Sequence, residues 1–452
     1  MFDLAVIGAG PGGFEAALRA RELGFTVALI EKSEPGGTCL NTGCIPTKAL
    51  LASTKLLSKI KNAESYGLSP VTPTWDVLSL VQRKNRIVER LKKGMLDPLK
   101  RSGVEWIQGE ARFTGKNRLS VTGEGKREID ARFILIATGS EPTSFPGTPF
   151  DGKSILSSTD LLEPKSVPER LLILGGGVIG VEFASIFQPL GTKVILVEMM
   201  ERLIPLEDEE VSGRLESLFG RKGIEVYVGE KVRTLAPKAD TVEASLESGR
   251  KIETDQVLVA LGRKPRLQEL GLEKAGVKTE NGFILVNEYL ETSAAGIFAI
   301  GDVTTRSTGL AHGASAEGVR VVENLKGPRK KMDHSVTPHC IYTDPEVASV
   351  GTIHGLLPQE IVQTKILFSA IGKSHIESEV EGFVKMFASK EEGRILGFTG
   401  IGGHVTELVH EAALAIKAHL SVRELADLVH AHPTESEILH EAARKLAALL
   451  KH

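Results

Sequence analysis

Residues 4–31 and 172–198 carry one design twice. The first copy reads LAVIGAGPGG, FEAALRARELG, FTVALIE, and the second reads LILGGGVIG, VEFASIFQPLG, TKVILVE. Each is a short apolar strand, a glycine turn, an amphipathic helix, a second strand and an acid at its end. Gly8, Gly10 and Gly13 correspond to Gly175, Gly177 and Gly180, and the first glycine stands 23 positions before the terminal acid, Glu31 or Glu198, in both copies. The first glycine permits a tight turn, the second lets backbone approach a pyrophosphate, and the third lets helix and strand pack closely. Ala17 and Ala184 follow one helical turn later on the same face. The helix N-terminus offers free N–H groups and the positive end of its dipole to phosphate. The terminal acid can accept hydrogen bonds from a ribose diol. A lone glycine fingerprint is weak, but two copies in register with strand, helix, strand and acid are not coincidental.

These units predict an α/β chain with two Rossmann-like dinucleotide-binding domains, for two dinucleotides or for one with the other unit a relic. A carboxylate at Glu198 favours a free 2′-hydroxyl and repels a 2′-phosphate, which points to NAD over NADP. A chain of 452 residues is too long for one ordinary core. Apolar spacing near 3.6 predicts helices over 46–63 and 75–101, and residues 104–136 read as strands. DQVLVALGRKP (255–265) reads as one strand and turn, and GIFAIGDV (296–303) as a buried strand ending at Asp302. LAHGASAEGVRVVENL (310–325) reads as a helix in which Ser315 and Glu317 carry no signal of their own. Beyond the basic stretch GPRKKMDHS no dinucleotide motif recurs; strands in ILFSA, FVKMFAS and RILGFTGIG, then helices at 404–419, 421–430 and 434–450, predict a C-terminal α+β domain. A net charge of −3 leaves no basic field for nucleic acid or anionic membrane, and no apolar run is long enough to span a bilayer. The N-terminus lacks a basic n-region and reads as strand and turn, not a signal peptide. With three cysteines, this favours the reducing cytoplasm of a prokaryote. Seven Asn and seven Gln are few, as in heat-loving hosts.

Two of the three cysteines sit in GGTCLNTGCIPTK (36–48), at Cys39 and Cys44. A metal site, a structural staple and a redox pair are the candidates. Zinc would want a second ligand pair, which does not accompany these cysteines. A staple over so small a loop contributes little. On a regular helix, residues five apart point about 140° apart, so any bond between the two requires a distorted backbone. Cys340 has no partner cysteine nearby in sequence and reads as a packed thiol.

GAGPGG, GGTCLNTGCIPTK, ATGS, GGGVIGVE, ALGRKP, AIGDV, YTDPEVASVG and HAHPTESE occur in an order that resembles the flavin-dependent pyridine nucleotide-disulfide oxidoreductases, over essentially the whole chain. Within that family the chain is most similar to the dihydrolipoamide dehydrogenase branch. The resemblance implies an enzyme that oxidises protein-bound dihydrolipoyl groups and reduces NAD through FAD and a redox-active disulfide. It implies an FAD-binding domain over 1–145, an NAD-binding domain over 146–264, a central segment returning to the FAD domain over 265–331, and an interface domain over 332–452. Cys39 would exchange with substrate sulfur, and Cys44 would lie against the flavin. His432 would be the base, oriented by Glu437 and supplied by the partner subunit of a homodimer. Lys48 would lie near the flavin, paired with Glu182. Tight, non-covalent FAD would be held by Gly8, Gly10, Gly12, Gly13, Glu31, Lys32, Gly37, Thr38, Lys48, Ala111, Thr138, Gly139, Asp302 and Ala311. NAD would be held by Gly175, Gly177, Val178, Ile179, Gly180, Glu198, Val232 and Gly262. The implied partner is the lipoyl domain of an acyltransferase or a lipoyl carrier protein; no resident metal is implied. NADP-using relatives carry arginines just after the second strand, where Met199 and Pro205 stand here with Arg202 nearby. The His432–Pro433 bond suits a cis turn. His430 has no role in the resemblance, and Glu435 stands where relatives carry an apolar residue. The rivals are another disulfide reductase and a flavoprotein that only binds nucleotides. Glu198 disfavours an NADP-dependent glutathione reductase, and the Cys39, Cys44, His432, Glu437 set disfavours a non-catalytic role.

Overall fold

The structure is a computed structural model that describes residues 1–355 and 359–450. The C-terminal stretch read as an interface domain includes 356–358 and 451–452, which lie outside the described residues. The chain divides into two compact units, the first built from Met1–Ala49, Leu80–Thr143 and Gly262–His334, the second from Leu50–Ser79, Ser144–Leu261 and the chain from Ser335 onward.

In the first unit, strands pair in parallel in the order Glu105–Gly115, Val27–Glu31, Phe2–Ile7, Lys126–Ile136, Ile297–Ala299. Leu4 lies opposite Val27 and Phe133, so the apolar runs LAVI, VALI and FILI sit side by side. Parallel strands covered on both faces need such continuous apolar sequence. Leu4, Ala5, Val6, Leu29 and Leu135 are all fully buried. Each large aliphatic side chain there contributes about 1.5–3 kcal/mol by leaving water. Strand Arg118–Gly123 links Glu105–Gly115 and Lys126–Ile136 as an antiparallel meander. Helix Pro11–Glu22 lies against helix Ala311–Lys326 at glycine contacts: a Cβ on Gly318 would sit 2.4 Å from Gly12 O.

The second unit holds a parallel sheet ordered Glu225–Tyr227, Lys193–Val197, Arg170–Leu174, Gln256–Val259, Ile155–Leu156. Helix Val178–Phe187 follows its glycine turn. A three-stranded antiparallel sheet, Val232–Pro237, Val242–Leu246 and Lys251–Thr254, accompanies it. The C-terminal part of this unit is a five-stranded antiparallel sheet ordered His339–Ile341, Glu346–Gly351, Ile395–Gly402, Phe383–Ser389, Ile361–Leu367. Helix Glu437–Leu449 buries Ile438, Leu439, Ala442, Ala443 and Leu446, the spacing of one helical face.

One local reading is corrected and one extended. DQVLVALGRKP holds the expected parallel strand and glycine turn, followed by a further short strand. Gln256–Val259 is parallel to its neighbours, Gly262 turns at φ +98°, and Arg263–Pro265 pairs antiparallel with Ser140–Pro142. ILFSA is a strand only to Leu367, after which residues 368–370 form a short 3-10 turn that buries Phe368 completely. Among the described residues no helix is long and apolar enough to cross a membrane.

The third glycine of each repeat fixes the helix against its strand. A Cβ on Gly180 would lie 1.9 Å from Gly175 O, and one on Gly13 would lie 1.9 Å from Gly8 O. Backbone on both sides cannot give way locally. Gly180→Ala is expected to destabilise the chain by about 3 kcal/mol, as forced overpacking does. A thermal melt with a wild-type Tm would contradict that.

Candidate active site

Two glycine cradles come first. Gly8 and Gly175 turn at φ +103° and φ +106°, where a Cβ would strike Ala137 O at 2.3 Å or Ala260 O at 2.5 Å. Gly10 and Gly177 are the N-caps of helices Pro11–Glu22 and Val178–Phe187, neither with a side-chain cap. Open space lies where a Cβ on either glycine would stand, and the same holds at Gly139 and Gly262. Uncapped N–H groups facing open backbone fit a pyrophosphate.

The terminal acids do more than their spacing suggests. Glu31 accepts from Ala9 N and Ser33 N, both at 2.8 Å, one on each carboxylate oxygen. Glu198, 7% exposed, accepts from Gly176 N at 2.6 Å and Met200 N at 2.7 Å in the same way. Each carboxylate clamps its own glycine turn to the end of the second strand. Every oxygen keeps a further lone pair for a ribose hydroxyl. Arg202 donates to Pro205 O at 3.0 Å, which holds its guanidinium within its own loop. Met199 and Met200 are exposed beside Glu198. Lys32 pairs with Glu110 at 3.0 Å on the surface, Ala111 is buried in its strand, and Val232 opens the antiparallel sheet opposite Leu246.

Asp302 lies in the turn Gly301–Val303, three residues past the end of strand Ile297–Ala299, and Ala311 opens a helix. Ser140 Oγ donates to Asp302 Oδ2 at 2.5 Å. Arg263 donates from Nε to Ser140 Oγ at 2.7 Å, and from Nη2 to Ser140 O at 2.7 Å and Thr38 Oγ1 at 3.5 Å. Burial pushes the Arg263 guanidinium below its ordinary value, against the pull of Asp302. Thr138 Oγ1 donates to Arg266 O at 2.8 Å, and Gly139 O accepts from Arg266 N at 2.9 Å. Glu317, silent in the sequence, is fully buried and accepts from Gly301 N at 2.6 Å. Ser140 and Arg263 were missed because each acts on residues far away in the chain, and Glu317 because its partner is a backbone amide, which has no sequence signature. ALGRKP and ATGS as adjoining strand ends were the available signal.

The cysteines occupy a broken helix. Gly37–Thr42 forms one short helix, Gly43 breaks it at φ −142° and ψ −113°, and Cys44–Lys61 begins a second. The distortion that a bond between the two sulfurs demands is therefore present. A Cβ on Gly43 would sit 2.9 Å from Thr38 O, so glycine is needed at the break. Cys39 and Cys44 are half-buried thiols here. A hydrogen bond with Cys44 pushes the Cys39 thiol well above its ordinary value; burial adds to this, and Lys48 opposes it. Cys44 stands at the head of an 18-residue helix, where the dipole favours negative charge on sulfur.

In the second unit, His432 precedes Pro433 through a cis peptide. Its side chain is 77% exposed, with Nδ1 2.9 Å from Glu437 Oε1. Glu437 Oε2 accepts from Thr434 N at 2.9 Å. The bonds from His432 and Thr434 hold the Glu437 carboxyl below the usual carboxylate range. A carboxylate at Nδ1 fixes the proton there and leaves Nε2 free to accept one. His430 faces Glu411 at 2.8 Å and its ring packs against His440 at 5.1 Å. Glu182 is 3% exposed and accepts from Tyr342 N at 3.0 Å. The structure brings Cys39, Cys44 and Lys48 together in one unit, and His432 and Glu437 together in the other. Among the described residues no cluster of three or more His, Cys, Asp or Glu side chains could hold a metal ion.

Residues 2–318 match the pyridine nucleotide-disulphide oxidoreductase family, and residues 337–443 match that family's dimerisation domain. A dihydrolipoyl dehydrogenase of Chlorobaculum parvum is 40% identical over 98% of this chain and 96% of its own length. One of Bacillus subtilis is 39% identical over 99% of each. The crystal structure of LpdA from Mycobacterium tuberculosis superposes with a TM-score of 0.92 at 26% identity, covering 98% of this chain and 99% of that one.

Proposed function

This chain belongs to the pyridine nucleotide-disulphide oxidoreductase family, and from that premise we propose that it oxidises protein-bound dihydrolipoyl groups to lipoyl groups, reducing NAD⁺ to NADH. The observation that carries the reading is the hydrogen-bonded Cys39–Cys44 pair astride the Gly43 break, at the head of a helix. The near-full-length match to dihydrolipoyl dehydrogenases supports the substrate. The dimerisation domain supports a homodimer in which each active site takes its base from the partner. The physiological substrate is a lipoyl domain of an acyltransferase or a lipoyl carrier protein, serving a 2-oxoacid dehydrogenase complex or glycine cleavage. The setting is a prokaryotic cytoplasm.

In the resting enzyme Cys39 and Cys44 share a disulfide. His432 Nε2 takes the proton from one substrate thiol while Glu437 stabilises the imidazolium. The substrate thiolate attacks Cys39 sulfur, the Cys39–Cys44 bond breaks, and Cys44 leaves as thiolate. The second substrate thiol, deprotonated in turn, attacks the substrate sulfur bonded to Cys39. The substrate departs as a cyclic disulfide, and Cys39 takes a proton. FAD, when bound, supplies the two-electron path from the reduced cysteines to NAD⁺. The first glycine cradle, Glu31 and the Arg263–Ser140–Asp302 chain fit its pyrophosphate and ribose. The second cradle and Glu198 fit NAD, with Arg202 held away from any 2′-phosphate role.

Anaerobic titration with dihydrolipoamide followed by NAD⁺ tests this: NADH should appear in step with dithiol added. A flavin left oxidised by dihydrolipoamide but reduced by NADH would sink the substrate and leave the fold untouched.

A further inference from the structure

Between Leu428 and Ser436, the segment that carries His432, Glu435 is a buried residue, and the side chain of His430, 6% exposed and paired with Glu411, is buried as well. A carboxyl is a poor anchor unless its hydrogen bonds are met. Glu435 Oε2 accepts from Ser374 Oγ at 2.8 Å, and Ser374 is fully buried. Glu435 Oε1 is buried with no hydrogen-bond partner. Ser374 belongs to the short helix Gly372–Ile376, and its carbonyl accepts from Glu379 N at 2.9 Å. One side-chain bond therefore ties the His432 segment to a compact turn.

Charged groups face this carboxyl from each element packed on it. Lys373 and Glu379 come from the turn, and His404 from the head of helix Val405–Lys417. Glu379 pairs with Lys59 Nζ at 2.7 Å and has its Oε2 3.9 Å from His404 Nε2. Burial holds the Glu435 carboxyl above the ordinary range, with Glu379 adding to it; Ser374, His404 and Lys373 oppose.

We infer that Glu435 is a positioning residue for His432: its hydrogen bond with Ser374 anchors the segment that carries the base. This rests on the reading of His432 as base. Burial favours the neutral carboxyl and so costs stability as pH rises through the raised value, while the Ser374 hydrogen bond favours the ionised form and opposes that loss. Once ionised, the group is a buried charge with one hydrogen bond, one bare oxygen and the Glu379 carboxylate nearby.

The test uses the full-length holoenzyme and two variants, Ser374→Ala and Glu435→Gln. Dihydrolipoamide oxidation by NAD⁺ is followed across pH, beside NADH oxidation by ferricyanide, which needs no base at His432. Ser374→Ala should lower kcat for the dithiol roughly three- to tenfold, the worth of one buried hydrogen bond, with the ferricyanide rate held. Glu435→Gln keeps an acceptor for Ser374, so its dithiol kcat should lie nearer wild type than that of Ser374→Ala. Profiles superimposable on wild type for both variants would overturn the inference, as would equal loss of both reactions in Ser374→Ala. His432→Gln separates the two readings. If that variant oxidises dithiol normally, the base assignment itself fails, whatever Glu435 does.

Discussion

A Cys44→Ser variant is expected to lose dithiol-driven NAD⁺ reduction by about 10³-fold or more, as loss of a covalent participant does, while folding and holding FAD. Serine is close in size, and Cys44 is only half-buried at the first position of its helix. Packing therefore changes little. What disappears is the leaving sulfur: without it the substrate thiolate has no disulfide to open. Activity with dihydrolipoamide and flavin content, measured on one preparation, check this together. Wild-type turnover in a flavin-replete variant would remove the disulfide from the mechanism. Loss of flavin as well would shift Cys44's role toward cofactor retention.

The second large effect is expected at His432. His432→Gln should reduce kcat/KM for dihydrolipoamide by about 10²–10⁴-fold, the usual contribution of a positioned base. Reduction of the enzyme by NADH should continue, since no substrate thiol has to be deprotonated in that half of the reaction. His432 is 77% exposed, so the substitution removes no core contact. Stopped-flow measurement of the two half-reactions discriminates. Equal slowing of both would mean that the side chain supports structure and not proton transfer. The effect should also ease as pH rises, because more of the free dithiol is already thiolate and needs the base less.

The doubled unit was readable because its information is local. Three glycines, a 3.6-residue period and an acid at fixed spacing all lie within one short stretch. The helix expected over 46–63 is Cys44–Lys61, and that expected over 75–101 is Val77–Ser102, since apolar periodicity survives small errors at the ends. The helix expected over 434–450 starts later, at Glu437, because the preceding residues turn through Pro433 and Glu437 is engaged with His432 and Thr434. Long-range work was not legible. Ser140 and Asp302 are 162 positions apart, and Arg263 and Ser140 are 123 apart, so no window contains either pair. Glu317 looked like any surface acid on a helix until its partner, the Gly301 amide, was seen beside it. Glu435 was an oddity in the sequence, and only burial against Ser374 gives it a reason.

The clamping of each glycine turn by its terminal acid has a consequence for redesigning coenzyme choice. An engineer wishing the second cradle to accept a 2′-phosphate would first replace Glu198 with something small and neutral. That exchange would also set free the amides of Gly176 and Met200, which the carboxylate now holds. The loop would then have to be ordered afresh at every binding event, and the entropy lost in doing so would offset the new attraction. A workable exchange keeps two acceptors at this position and puts the cation at the exposed neighbours Met199 or Met200, so that selectivity and loop order are carried by different side chains.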